Sequence, residues 1–427
     1  MPLLSKIAPT NYKLLPMTDK KKENQASYDI FIANSTFPDA ESVFATYIKP
    51  LEEIKNTALV VLDTNALLVP YSIGTNSLSQ IKETYRKLVK TEQLLVPGQV
   101  AREFAKNRTK PILDVFQQLN QKHDNANKAL SVEKGKYPLL ESLNDYQETI
   151  RIEKEIKNLL KNYKKSISNV LDHIRSWTWN DPVSLLYSEL FTKEVIFDLA
   201  LEQGKLQEEL SRRQLHKIPP GYKDSTKDDS GIGDLLIWFT ILEVGKLRKK
   251  DVIFVSSDQK PDWWYNIEKQ ALYPRYELVD EFRRESNGFS LHILPFSRFL
   301  DLYGASESVV EEVREEENRL SLEFGLIGEF VHKWQIIEQV LLSKYRALNP
   351  GIPAKWLSAI LIADMLYKRG LIDRDLASRI HELNKIKNVL LHESSTNTFT
   401  NLEMKSMIAG VDEMIEILDQ LPPNEPG

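Results

Sequence analysis

The sequence predicts an α/β domain built on a parallel sheet, interrupted by a long helical insertion and followed by an all-α four-helix bundle. Three observations carry this expectation. The short apolar runs Leu59 to Leu62, Leu94 to Val96 and Val252 to Val255 stop abruptly and alternate with helical patterns, as strands buried on both faces of a parallel sheet do. From Arg108 to about Leu215 the chain is highly charged with helical spacing. After Tyr303 and Gly304 the composition changes and only helical patterns remain.

Taken in order, residues 1–41 are polar, carry prolines at 2, 9, 16 and 38, and read as an N-terminal arm. Ser42 to Ile54 supplies a helix that Pro50 must break or restart. The first strand follows and ends in Asp63. Leu78, Ile81, Tyr85, Leu88 and Val89 then share one helix face. The second strand is stopped by Pro97 and Gly98, and Gln99 to Lys106 opens a helix. Within the insertion, placed at about 108–215, Ile152, Ile156, Leu159, Tyr163, Ile167, Val170 and Ile174 recur at three- and four-residue steps, a coiled-coil-like seam. Residues 218–233 are rich in proline, glycine and charge and read as a loop. Asp234 opens an apolar helix, Val252 to Val255 is the third strand, and Asp258 lies just beyond it. Asp262 to Trp264 reads as the start of another helix, Leu291 to Leu294 as the last strand, and Phe296 to Leu302 as the closing helix of a domain at 42–304.

In the remaining unit, 305–427, Glu307 to Glu317 reads as an acidic linker or linker helix. Four amphipathic segments follow: Leu322 to Leu348, Ala354 to Lys368, Arg374 to His392 with Asp373 as its cap, and Leu402 to Leu421. Their short connections point to a bundle.

Composition narrows the functional classes. The chain has 427 residues, enough for two or three domains, with no cysteine and a net charge of −5. Absence of cysteine excludes disulfides, thiolate zinc sites and a cysteine nucleophile, and fits a reducing cytoplasm. The acidic balance means that any nucleic-acid contact must come from local basic patches. Leu3 and Leu4 run directly into Ser5 and Lys6, without a signal-peptide core, and the apolar stretch Trp356 to Tyr367 contains Asp364 and is too short for a bilayer. The expectation is a cytoplasmic protein with no membrane partner.

Four acids share one context. Asp63 and Asp258 end buried strands, whereas Glu103 and Asp234 sit in the first turns of helices that follow a strand or loop. Each has an ordinary reading: Asp63 as a helix N-cap, Glu103 as a solvated helix residue. Together they would converge on the carboxyl edge of the sheet, where open α/β folds bind ligands. Clustered carboxylates repel, and a hard divalent cation, Mg²⁺ or Mn²⁺, resolves that repulsion and can activate water against a phosphodiester. The lysines Lys154, Lys157, Lys161, Lys164 and Lys165 form a stripe on the insertion. It is either a solvated face or a phosphate contact, with Lys157, Lys161 and Lys164 as the nucleic-acid candidates.

At these residues the sequence resembles a known family. The motifs VVLDTN around Asp63, VPGQVARE ending at Glu103, GDLLIW around Asp234 and IFVSSD ending at Asp258 resemble the ordered acidic motifs of PIN-like nucleases. The segments PPGYKD, ending at Asp224, and SSDQKPDWW, ending at Trp264, are similar to a bacterial branch with a long helical insertion. The resemblance spans about residues 42–302. It implies a metal-dependent nuclease, most often an endoribonuclease, with Asp63, Glu103, Asp234 and Asp258 as catalytic and metal positions and Asp224 as a fifth acid. RNA is the implied substrate, with single-stranded DNA open.

In the tail, LNKIKNVLLH, ending at His392, is similar to the basic-Asn-x-x-x-His signature of HEPN domains, helical bundles that are often dimeric ribonucleases. Asn388 and His392 lie four apart on one helix face. The family's usual arginine is Lys387 here, which lacks the bidentate fork. The expectation is a tail that serves dimerisation or RNA binding, with a metal-independent ribonuclease as the alternative. Two ribonuclease-associated modules in one chain imply a toxin or anti-phage effector, with a regulatory partner protein. The rival from another class is a non-catalytic RNA-binding scaffold.

Overall fold

The computed structural model of the chain describes residues 28–44, 46–126, 137–199, 202–222, 231–267, 270–349, 357–392 and 399–420. Three short helices, α1 (Ile32–Thr36), α2 (Ala40–Phe44) and α3 (Leu51–Ile54), lead into the domain, with Pro50 at the N-cap of α3. Then come β1 (Leu59–Leu62), α4 (Thr64–Leu68), α5 (Thr75–Lys90), β2 (Leu94–Pro97), α6 (Gly98–Asn107), α7 (Thr109–Asn125), α8 (Asn144–Arg175), α9 (Pro182–Leu190) and β3 (Ile196–Phe197). They are followed by α10 (Gln203–His216), α11 (Ile232–Arg248), β4 (Val252–Val255), β5 (Trp264–Ile267), β6 (Gln270–Pro274), α12 (Tyr276–Glu285), β7 (Leu291–Leu294) and α13 (Phe296–Leu302). The tail comprises α14 (Glu307–Leu348), α15 (Ala359–Lys368), α16 (Arg374–His392) and α17 (Asn401–Gln420).

A five-stranded sheet runs β3-β2-β1-β4-β7, and all its pairings are parallel. Every residue of β1, β2 and β4 is buried, which is why these strands read as unbroken apolar runs and not as alternations. The chain builds outward from β1 to β2 and β3, then crosses to the other side of β1 to form β4. The strand order therefore reverses between β1 and β4, the position where open α/β sheets bind ligands. Helix α11, with Ile237, Trp238, Ile241 and Val244 buried, adds to the same core.

Four expectations are corrected. The first concerns Asp262 to Trp264, which does not begin a helix. Trp264 opens β5, which pairs antiparallel with β6 in a separate hairpin, and Tyr265 and Tyr273 face each other with ring centroids 5.1 Å apart. Aromatic residues favour such cross-strand pairs; the helix starts only at Tyr276.

The second is that the insertion returns to the sheet before Leu215. Val183, Leu186, Tyr187 and Leu190 of α9 belong to the α/β core, and β3 is an edge strand paired with β2. A two-residue strand is too short to leave a periodic signal.

Third, the seam on α8 is only partly covered. Ile167 and Ile174 are buried, as is the neighbouring Leu171, but Ile152, Leu159, Tyr163 and Val170 are exposed. Helix α7 has 17 residues and α8 has 32, about 26 Å against 48 Å, so α7 can line only about half of its partner.

Fourth, the acidic stretch is no separate linker. It forms the first turns of a single 42-residue helix, α14. Val309, Val310 and Val313 are buried in the α/β core, whereas Phe330, Trp334, Ile337 and Leu341 of the same helix lie in a second core shared with α15, α16 and α17. Glu312 accepts from the Gly74 amide at 2.8 Å and from the Ser77 hydroxyl. Glu317 accepts from the Phe296 amide at 2.7 Å. Among the described residues no helix is long and apolar enough to cross a membrane.

Three buried valines contribute several kcal/mol at roughly 1.5 kcal/mol each. A chain ending at residue 304 is therefore expected to unfold on the order of 10 °C below one ending at residue 320. Equal melting temperatures by calorimetry would show that the first turns of α14 do not stabilise the α/β domain.

Candidate active site

The site begins where β1 ends. The Asp63 amide donates to the Val255 carbonyl at 3.0 Å, the last rung of the β1–β4 ladder. Its backbone stays extended and its side chain caps α4, accepting from the Thr64 amide at 2.6 Å. The capping reading of Asp63 is thus correct for Oδ1. The other oxygen, Oδ2, accepts from Ser256 Oγ at 2.6 Å and Asn65 Nδ2 at 2.7 Å.

From this centre the acids are joined in an arc. Thr64 Oγ1 donates to Glu103 Oε2 at 2.6 Å, and Gln99 Nε2 holds Glu103 Oε1 at 2.9 Å. On the other side, Ser256 Oγ also accepts from the Asp258 amide at 3.1 Å. Asp258 Oδ2 lies 2.7 Å from the Lys260 ammonium, which is 3.7 Å from Asp234 Oδ2. Asp234 reaches the arc from the first turn of α11. The structure therefore links Asp63, Glu103, Asp234 and Asp258 at one edge of the sheet, at its reversal point. Asp224 lies outside the described residues.

Sequence reasoning did not identify Thr64, Asn65, Ser256 and Lys260, although each stands within two residues of a predicted acid. It also missed Asp262. This carboxylate is fully buried and accepts from the Gly221 amide at 2.9 Å; burial raises its pKa. Gly221 has φ +87°, and a Cβ there would lie 2.9 Å from the Gly231 carbonyl oxygen, so the turn beside Asp234 requires glycine.

Electrostatics show what the arc lacks. Desolvation pushes the Asp63 carboxyl up to about 6 against the hydrogen bond from Ser256, and the charges of Asp258 and Glu103 add to the rise. A positive charge beside Asp63 would favour its ionised form. The donor set is oxygen only, which suits a hard divalent ion by type and charge. Among the described residues, however, no three His, Cys, Asp or Glu side chains close around a point that would hold a metal. The acids line an arc, and the Lys260 ammonium stands between two of them.

The other candidates lie apart from this network. Lys157 and Lys161 are exposed on α8 and Lys164 is half-buried; Lys157 pairs with Glu153 at 2.7 Å. In the tail, the Lys387 ammonium lies 5.6 Å from the centre of the Trp334 ring and 3.8 Å from Glu338. Asn388 is exposed on the same helix. His392 ends it, and its side chain lies outside the described residues.

The raised Asp63 pKa gives a stability prediction. The unfolded carboxyl titrates near 3.8 and the folded one near 6. The favourable effect of the neutral acid is fully present below about pH 4 and is lost as pH rises through about 6. In EDTA at pH 7.5, Asp63→Asn should therefore be more stable than wild type by about 1–3 kcal/mol, with the gap closing towards pH 4. Thermal unfolding at the two pH values measures this; a gap independent of pH would refute the assignment.

A family model described as PIN like domain matches residues 59–278, a span that begins at β1 and includes all four acids. No curated protein and no solved structure matches the chain. With more than half its length matched and its acids at the switch point of a parallel sheet, the chain belongs to the PIN-like domain family, whose members are generally nucleases.

Proposed function

We propose that the protein is a metal-dependent endoribonuclease, with Asp63, Glu103, Asp234 and Asp258 as its metal-holding and catalytic side chains. The observation that carries this is the arc of hydrogen bonds and ion pairs joining these four acids. A Mg²⁺ or Mn²⁺ ion bound there would supply a water of lowered pKa and charge for the scissile phosphate. The chain's own contribution is orientation. Thr64 and Gln99 fix both oxygens of Glu103, while Ser256 and Asn65 fix Oδ2 of Asp63. Asp224 is the proposed fifth acid.

RNA is the substrate that the family resemblance favours. The acids alone would repel a polyanion, so Lys157, Lys161 and Lys164 are proposed to guide it. The HEPN-like tail is proposed to dimerise the protein or bind RNA. Lys387 supports that reading over cleavage, because its ammonium packs over Trp334 beside Glu338. A toxin or defence role, exerted in the cytoplasm and controlled by a partner protein, follows from the pairing of the two modules by resemblance.

Purified protein should cut RNA in Mn²⁺, and Asp63→Asn should lower the rate on the order of 100-fold or more. Full activity of Asp63→Asn, or cutting in EDTA that His392→Ala abolishes, would move the active site to the tail. Replacing Lys157, Lys161 and Lys164 with Glu should weaken RNA binding and flatten its salt dependence. The log–log slope should fall by up to about 0.7 for each lysine that otherwise neutralises a phosphate. An unchanged slope would make the stripe a solvated face only.

A further inference from the structure

Lys260 occupies an unusual place. It follows β4 by five residues, in the segment Ser256 to Trp264, and its backbone is held from both sides. Its amide donates to Asp258 Oδ1 at 3.0 Å, and its carbonyl accepts from the amides of Trp263 and Trp264, each at 3.0 Å. The turn is fastened further by the Trp264 indole, which donates to the Asp258 carbonyl at 2.8 Å, and by buried Asp262 on Gly221. The stem of Lys260 thus starts from a fixed point beside the acids. Its ammonium reaches the gap between Asp258, 2.7 Å away, and Asp234, 3.7 Å away.

An ordinary exposed lysine–aspartate pair contributes little and samples many geometries. This pair differs in two respects. Both carboxylates are only about one-fifth exposed, at 20% and 21%, and a single ammonium lies against the two of them at once. The lysine side chain itself is 32% exposed, so its flexible stem has a route out to solvent. A compact charge on a four-carbon stem can leave such a position, whereas a planar guanidinium held at two points would resist.

We propose that Lys260 is a built-in counter-ion of the acid arc. It takes, between Asp258 and Asp234, the place of the divalent ion, holds the carboxylates together without metal, and swings out when the ion binds. This inference rests on the metal-dependent reading of the same site. Loading is then an exchange of one cation for another, and the lysine weakens metal binding while protecting the metal-free fold. Lys260 is a positioning residue in this account.

The test is Mn²⁺ binding to the full chain, read from the electron paramagnetic resonance signal of free Mn²⁺, together with thermal unfolding in EDTA. Lys260→Met should bind Mn²⁺ about tenfold more tightly than wild type and melt at a lower temperature in EDTA, with a larger gain on adding Mn²⁺. Lys260→Arg, which keeps the charge, should bind no more tightly than wild type. Equal or weaker binding by Lys260→Met, or tighter binding by Lys260→Arg, would overturn the proposal and leave the metal site standing. Asp258→Asn separates the two ideas. If it binds Mn²⁺ as well as wild type, or if wild type binds none at millimolar concentration, the metal reading fails and this proposal fails with it.

Discussion

The pairing of β1 with β4 is the constraint on which the rest of the site depends. Their register sets Leu59 opposite Val252 and Leu62 opposite Val255. One residue further, Asp63 meets Ser256, whose hydroxyl binds both the Asp63 carboxylate and the Asp258 amide. A slip of one residue would turn each strand's side chains to the other face and break this bridge. Both strands are buried along their whole length, so the register is held by packing on two sides. The polar cluster is charged, partly desolvated and self-repelling, and the apolar ladder behind it keeps it in place.

The parts of the fold legible in the sequence are those where one physical signal acts alone. Leu59 to Leu62 and Val252 to Val255 are apolar throughout because both faces of the strand are covered, and the acids that end them stand out by contrast. Where two signals compete, the sequence misleads. The spacing of Ile152, Leu159 and Tyr163 is that of a seam, yet these three side chains are exposed. Glu307 to Glu317 has a linker's composition, but Val309, Val310 and Val313 are spaced to dock one face of a helix, and Glu312 and Glu317 bond to the same α/β domain. Trp263 and Trp264 invite a helix, yet Trp264 starts a hairpin strand.

The four acids were likewise legible from position alone, since chain order and strand ends place them at one edge. Their joints were not. Nothing in local sequence says that Thr64 reaches Glu103, 39 positions away, or that Asn65 reaches Ser257, 192 positions away. Glu317 extends the same chain of bonds: from α14 it accepts the Ser257 hydroxyl, while the Ser257 amide donates to Asn65 and Asn65 donates to Asp63. The helix that forms the spine of the tail bundle is thereby hydrogen-bonded, through two residues, to the centre of the acid arc. A sequence divided at residue 304 conceals that connection.

The central claim is that the arc at the carboxyl edge of β1 and β4 holds a hard divalent ion. Its most direct test is anomalous diffraction from crystals of the full chain grown with Mn²⁺. The account predicts a Mn²⁺ peak within about 2.5 Å of carboxylate oxygens of both Asp258 and Asp234. Well-ordered acids with no peak at this edge, or Mn²⁺ bound only elsewhere, would contradict it.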